Sequence, residues 1–173
     1  MTWRISLSAL TGIPSLLIKR WPGRLPRKRI FTKRRKTIHF LKTRNLSYEH
    51  DGLVYDDMPA RQALRELLLT ERFGRAWWIE LDKKTIGYAV LTFGFSVEFH
   101  GRDAVLDEMY LLPDHQGKGH FTEVLALIEA CCRELGVRAL CLVVETKNTR
   151  TQRACQKAGF KPHGRTLMTK RLT

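Results

Sequence analysis

Residues 104–145 hold the feature that narrows the fold most: an apolar stretch, a glycine loop, an amphipathic stretch and a second apolar run, in that order. AVLDEMYLL at 104–112 reads as a strand, and Pro113 ends it because proline cannot donate to a ladder. Asp114-His115-Gln116-Gly117-Lys118-Gly119 follows as a loop. Phe121, Val124, Leu125, Ile128, Cys131 or Cys132, and Leu135 then recur at the spacing of one helix face, with Gly136 as the expected residue past the helix end. Arg138–Glu145 (RALCLVVE) is continuously apolar at its centre, which predicts a strand covered on both faces.

The flanking segments complete the pattern. Asp57-Met58-Pro59 predicts a helix start, with Asp57 as N-cap and Pro59 in the first turn, followed by Ala60, Ala63, Leu64, Leu67 and Leu68 at helical spacing. Residues 76–82, 85–96 and 104–112 predict an antiparallel meander, turning at Lys83-Lys84 and through Gly101. Asn148 or Thr149 caps a short helix with a stripe at Thr151, Ala154, Cys155 and Ala158, ended by Gly159. Arg165–Arg171 is the expected last strand. The order α, β-β-β, α, β, α, β predicts an α/β (mixed α+β) domain, its mixed and mostly antiparallel sheet flanked by helices.

The formal net charge of +14 suggests nucleic acid until its distribution is read. Residues 1–50 hold 13 of the 31 Lys and Arg with one acid, Glu49, whereas residues 51–173 hold 18 basic and 16 acidic residues. The expected organisation is therefore a basic N-terminal extension at 1–36 and one domain at 37–173. Pro14, Pro22 and Pro26 break any long helix in the extension, and the basic cluster Arg24–Lys36 contains no acid. A disordered arm, an organelle-targeting peptide and a misassigned start are the three readings of it. Trp3, Trp21 and Phe31 are too scattered to form a base-stacking platform, so nucleic acid is not the expected partner.

At 43% hydrophobic residues the chain can bury a core, and its apolar stretches are shorter than the ~20 residues of a membrane-spanning helix. The four cysteines, Cys131, Cys132, Cys141 and Cys155, form no C-x-x-C pair, so neither a metal site nor a disulfide framework is expected. Free thiols suit a reducing compartment, and the cytoplasm is the expected location unless residues 1–36 direct the chain to an organelle.

The position of Gln116-Gly117-Lys118-Gly119, between a strand and a helix start, matters more than its glycines. A helix start presents unpaired N–H groups and the positive end of a dipole, which suits phosphate. Gly117 and Gly119 let the backbone approach an anion, and Lys118 adds charge nearby. Neither a Walker loop nor a full dinucleotide fingerprint is present, and an ordinary strand-to-helix turn can carry the same two glycines.

The run AVLDEMYLLPDHQGKGHFTEVLALIEACCRELGVRALCLVVETKNTRTQRACQKAGF resembles the GNAT N-acetyltransferase superfamily. The family pattern is a strand ending near Pro, [QR]-x-x-G-x-[GA], a helix, a strand, and Asn before a short helix ending in Gly-Phe. Gln116, Gly117, Lys118 and Gly119 match the loop, and Asn148, Lys157, Gly159 and Phe160 match the later segment in spacing. The resemblance covers about residues 52–173. It implies an N-acetyltransferase that moves the acetyl group of acetyl-CoA to a primary amine of a small molecule or peptide. It further implies that Gln116, Gly117, Lys118, Gly119, His120, Phe121 and Thr122 cradle the pyrophosphate. Met109, Tyr110 and Leu111 would pair with the pantetheine arm and polarise the thioester carbonyl, and Asn148 would also bind the cofactor. A homodimer is compatible with the resemblance. Three departures stand out: Phe121 replaces a small residue, Cys155 replaces the tyrosine that many members use to protonate departing thiolate, and residues 1–51 lack the usual opening strand and helix.

Acetyl transfer needs a group that takes the proton of the amine. Glu108, just before the pantetheine-binding stretch, is the candidate base, and Cys155 the candidate acid in place of tyrosine. Asp107 adjoins Glu108 and points to the opposite face unless a bulge intervenes. Glu98, near the adjoining turn, is a candidate for binding a cationic substrate. Of Trp77 and Trp78, one is expected in the core and the other against the acceptor. Tyr88 and Tyr110 are phenols that could substitute as acids, though strand tyrosines more often pack, and His115 and His120, which flank the glycine loop, are read as phosphate contacts or surface residues rather than as catalysts. A non-catalytic acetyl-CoA-binding regulatory module and a basic nucleic-acid-associated protein are the alternatives.

Overall fold

The computed structural model describes residues 4–6, 16–20, 57–82 and 84–172. Six strands among them form one sheet in chain order: β1 (Arg4–Ser6), β2 (Leu16–Arg20), β3 (Gly74–Leu81), β4 (Lys84–Ser96), β5 (Gly101–Leu111) and β6 (Ala139–Leu142). Neighbouring strands are antiparallel except β5 and β6, which run parallel. The helices are α1 (Asp57–Leu69), α2 (His120–Glu134) and α3 (Thr149–Lys157), with a 3₁₀ turn at Pro113–His115. Two compact units result: Met1–Val143, which holds the sheet, α1 and α2, and Val144–Thr173, which holds α3.

Register decides what each face of the sheet carries. Trp78, Tyr88 and Tyr110 lie side by side, and Ala76, Val90 and Glu108 form the next row on the same face. Leu64 of α1 joins Ala76, Trp78, Tyr88, Val90 and Tyr110 in one buried cluster, with Leu67, Leu68 and Leu112 packed against it. The opposite face buries Trp77, Ile79, Ala89, Leu91, Ala104 and Leu106. Because β5 and β6 are parallel, α2 is the crossover between them, and it buries Val124, Leu125, Leu127, Ile128 and Cys132.

Both predicted helix ends hold. Gly136 has φ 69°, and Val137 N–H reaches back to Cys132 O at 2.9 Å. Gly159 has φ 93°, and Phe160 N–H reaches Cys155 O at 3.0 Å. These are the left-handed closures that satisfy the last carbonyls of a helix.

Four expectations need correction. The apolar run at 138–145 forms only a four-residue strand, half-buried along its length, and Val143 is exposed. It lies at the end of the strand order, and periodicity alone does not separate an edge strand from a central one. No strand forms at 165–171, where Leu167 and Met168 are exposed. Adjacent in sequence, those two would point to opposite faces of a strand, so neither face collects an apolar row. Trp77 and Trp78 do alternate, but both are buried, one on each face, and neither is left to line a surface site. Finally, eight residues of the expected 1–36 extension are strands: β2 pairs with β3 from Leu16↔Leu81 to Arg20↔Trp77, and β1 pairs with β2. The cluster Arg24–Lys36, Trp3, Trp21, Phe31, residues 37–56 and the side chain of Asp57 lie outside the described residues.

Candidate active site

The site grows from an irregularity in β5. Pairing with β4 runs Tyr88↔Tyr110, Ala89↔Met109, Val90↔Glu108, and then jumps to Leu91↔Leu106. Asp107 is therefore the extra residue of a β-bulge, the circumstance under which the alternation of Asp107 and Glu108 fails. Beyond the bulge, Glu108 and Tyr110 share the face of Tyr88, whose ring centroid lies 6.1 Å from that of Tyr110. Glu108 is half-buried and Asp107 exposed. The pairing of β5 with β6 stops at Leu106↔Leu142, one residue before the bulge. Met109, Tyr110 and Leu111 thus lie in the part of β5 past its last β6 pair.

Gly87 sets how closely β4 approaches this stretch. A Cβ there would overlap the carbonyl oxygen of Tyr110 and press on Leu111. A glycine inside an otherwise β-branched and aromatic strand is the sequence signal for such an approach.

The loop after β5 is tied down before it reaches the helix. Gln116 Nε2 donates to Leu111 O at 2.8 Å, and Gln116 N–H donates to Pro113 O at 3.1 Å. Gly117 and Gly119 have φ 77° and 89°, the left-handed region that glycine adopts without strain. A Cβ at Gly119 would meet nothing within 4 Å, so conformation rather than crowding selects glycine there. Gly119 caps α2: Thr122 and Glu123 donate their N–H groups to Gly119 O at 3.0 and 3.4 Å. Helix geometry leaves the N–H groups of His120 and Phe121 without an intrahelical acceptor, at the positive end of a 15-residue helix. Lys118 is exposed, Phe121 half-buried and Thr122 exposed. His120 Nδ1 lies 3.2 Å from Glu123 Oε2, and its ring centroid is 6.1 Å from that of His115, whose Nδ1 is buried. A short anionic group fits this cradle of open left-handed glycine backbone and helix start.

In the second unit, Asn148 Oδ1 accepts from Thr151 N–H at 3.1 Å, so that oxygen caps α3. Cys155 is buried on the predicted stripe, and burial pushes its thiol up from the ordinary range, partly opposed by a backbone hydrogen bond. The structure therefore brings Glu108, Met109, Tyr110 and Leu111 together with the loop from Gln116 to Thr122 in one unit, and carries Asn148 and Cys155 in the other. Glu98 does not join them. It lies in the β4–β5 turn at the start of β5, a strand length away from Leu111, where with Asp103 it raises the thiol of Cys141, an effect second to burial. Among the described residues no group of His, Cys, Asp and Glu can hold a metal, and no helix is long and apolar enough to cross a membrane.

An uncharacterized N-acetyltransferase of Mycobacterium tuberculosis is 35% identical over 83 residues, which are 48% of this chain and 50% of that protein. The chain thus spans about half the length of the curated relatives it matches. Among solved structures, an integron cassette protein from the mobile metagenome of Cole Harbour Salt Marsh matches with TM-score 0.70 and 29% identity, covering 80% of this chain and 86% of that one. An aminoglycoside N-acetyltransferase in complex with CoA matches with TM-score 0.69 and 16% identity, covering 93% of this chain and 97% of that one, a likeness of fold. The model of the acetyltransferase (GNAT) family matches residues 39–160, and with the bulged β5, the glycine loop and the α2 start inside that span, the chain belongs to this family.

Proposed function

We propose that the chain transfers the acetyl group of acetyl-CoA to a primary amine of a small molecule or peptide. The observation that carries this reading is the cradle of Gly117, Gly119 and the α2 N-terminus at the end of a strand that outlasts its pairing with β6. The N–H groups of His120 and Phe121 hold the diphosphate, and Lys118 adds a mobile positive charge. Gln116 fixes the loop to Leu111, so the phosphate site and the backbone of Met109–Leu111 keep a constant separation. That backbone holds the pantetheine arm and aligns the thioester with the acceptor. Glu108 takes the proton from the ammonium, directly or through water, and the amine attacks the thioester carbon. The oxyanion is stabilised by backbone N–H of the same stretch, and its collapse breaks the C–S bond to release CoA as thiolate, while the extra proton on the new amide nitrogen passes to solvent. A thiolate with a pKa near ~8.5 is a good leaving group at neutral pH, so the loss of tyrosine at position 155 does not stop the reaction. The solved relative in complex with CoA, an aminoglycoside N-acetyltransferase, supports both the cofactor and a small amine as acceptor.

Thermal unfolding with CoA tests the cradle. Ligand at 100 times its Kd adds about 2.7 kcal/mol of stability. Wild type shifts to higher Tm with CoA; Gly119→Val loses the shift, because a β-branched residue resists φ 89°. Folded wild type that gives no shift at millimolar CoA refutes the reading.

A further inference from the structure

Two imidazoles bracket the glycine loop, His115 just before Gln116 and His120 just after Gly119, and their ring centroids lie 6.1 Å apart. His120 Nδ1 lies 3.2 Å from Glu123 Oε2. An ionised carboxylate only accepts, so Nδ1 carries the hydrogen of that bond. A neutral His120 then has only a lone pair at Nε2, which repels a phosphate oxygen, whereas the imidazolium has an N–H there. The His120 side chain is 15% exposed, so water screens a nearby anion only in part. His115 Nδ1 is buried with no hydrogen-bond partner among the described residues, a costly place for an added N–H. Of the two rings, His120 is the one that can take a proton beside a carboxylate. The remaining charged side chains of this segment, Asp114 and Lys118, are both exposed.

Resting on the acetyl-CoA reading above, we propose that His120 holds the cofactor diphosphate through its side chain as imidazolium, so that cofactor binding draws a proton from solvent onto the His120–Glu123 pair. The diphosphate brings negative charge to the first residue of α2, and opposite charge within ~4–6 Å favours the charged form of a side chain. Histidine is the side chain whose charge ordinarily changes between pH 5 and 8. Affinity for the cofactor is therefore highest near pH 6 and falls about tenfold toward pH 8, as the bound imidazole gives up its proton.

Calorimetric titration of the full chain with CoA and with dephospho-CoA between pH 6 and pH 8 tests this. Dephospho-CoA keeps the diphosphate and lacks the 3′-phosphate, a monoester of the kind that itself titrates near pH ~6. The Kd of dephospho-CoA is expected to rise about tenfold across the range, and the heats at pH 7 to differ between PIPES and Tris because the buffer supplies the proton. His120→Gln binds with one Kd throughout, close to the wild-type value at pH 8. A merely structural role for His120 would weaken binding alike at every pH. A wild-type Kd that does not change with pH, or a pH dependence that survives in His120→Gln, overturns the proposal and leaves the cofactor site standing. Binding of CoA without binding of dephospho-CoA also overturns it, since affinity would not then rest on the diphosphate. If folded wild type binds neither compound, the acetyl-CoA reading is itself refuted, and the role of His120 falls with it.

Discussion

Cys155 shows how far one residue is legible in sequence. The stripe of Thr151, Ala154, Cys155 and Ala158 requires an inward side chain, and the thiol is indeed buried. What the stripe does not contain is the state of the sulfur. Burial raises the thiol above its ordinary range, so it stays protonated at neutral pH and is inert as a nucleophile. A buried thiol with that property fills space first. Cys155→Ala is therefore expected to lower kcat by less than about tenfold, short of the ~10²–10⁴ typical of a general acid, and by the same factor at pH 7 and pH 8. Steady-state rates on protein checked for folding by circular dichroism measure this; a loss beyond about a hundredfold would make Cys155 the proton donor. The tryptophans fail the other way. Alternation places Trp77 and Trp78 on opposite faces but does not contain how deeply each face is covered, and both side chains are buried.

At the scale of elements, the strands of the meander and the two later helices follow from period and caps, with ends displaced by only a few residues. β6 and the segment 165–171 do not follow, because apolar content says that a strand is affordable and not which neighbour it has. The bulge at Asp107 is written in β5, where apolar positions step from Ala104 and Leu106 to Met109 and Leu111 and slip by one residue. Gly87 is the matching signal on β4. Gly87→Ala would place a methyl against the Tyr110 carbonyl, a backbone atom that cannot swing aside, so β5 must move at Met109–Leu111. The expected result is a loss of about 1–3 kcal/mol in stability together with a weaker CoA-induced rise in Tm. Unchanged Tm and unchanged CoA affinity would show that β5 does not depend on this approach.

For the whole molecule, the charge profile separates a basic N-terminal stretch from a near-neutral remainder, and the sheet does not respect that division. Leu16–Arg20 lies within the basic stretch, yet it adds a strand to β3, because Leu-Leu-Ile suits a ladder whatever the charges around it. The site itself was legible as a loop and a strand end, since glycine conformation and helix start are local matters. Glu108 and Tyr110 share a face by simple alternation; the slip in the apolar row of β5 marks the bulge, and pairing with β4 sets that their face is the one of Tyr88 and Val90. Acetyl transfer on this face of β5 with Glu108 as base is checked by following CoA thiol release from acetyl-CoA with a panel of primary amines, for wild type and Glu108→Gln. Wild type is expected to release CoA only when an amine is present, with Glu108→Gln slower by about 10²-fold or more in kcat while its CoA-induced rise in Tm is retained. Amine-independent release by wild type, or equal rates for the two proteins, would contradict the account.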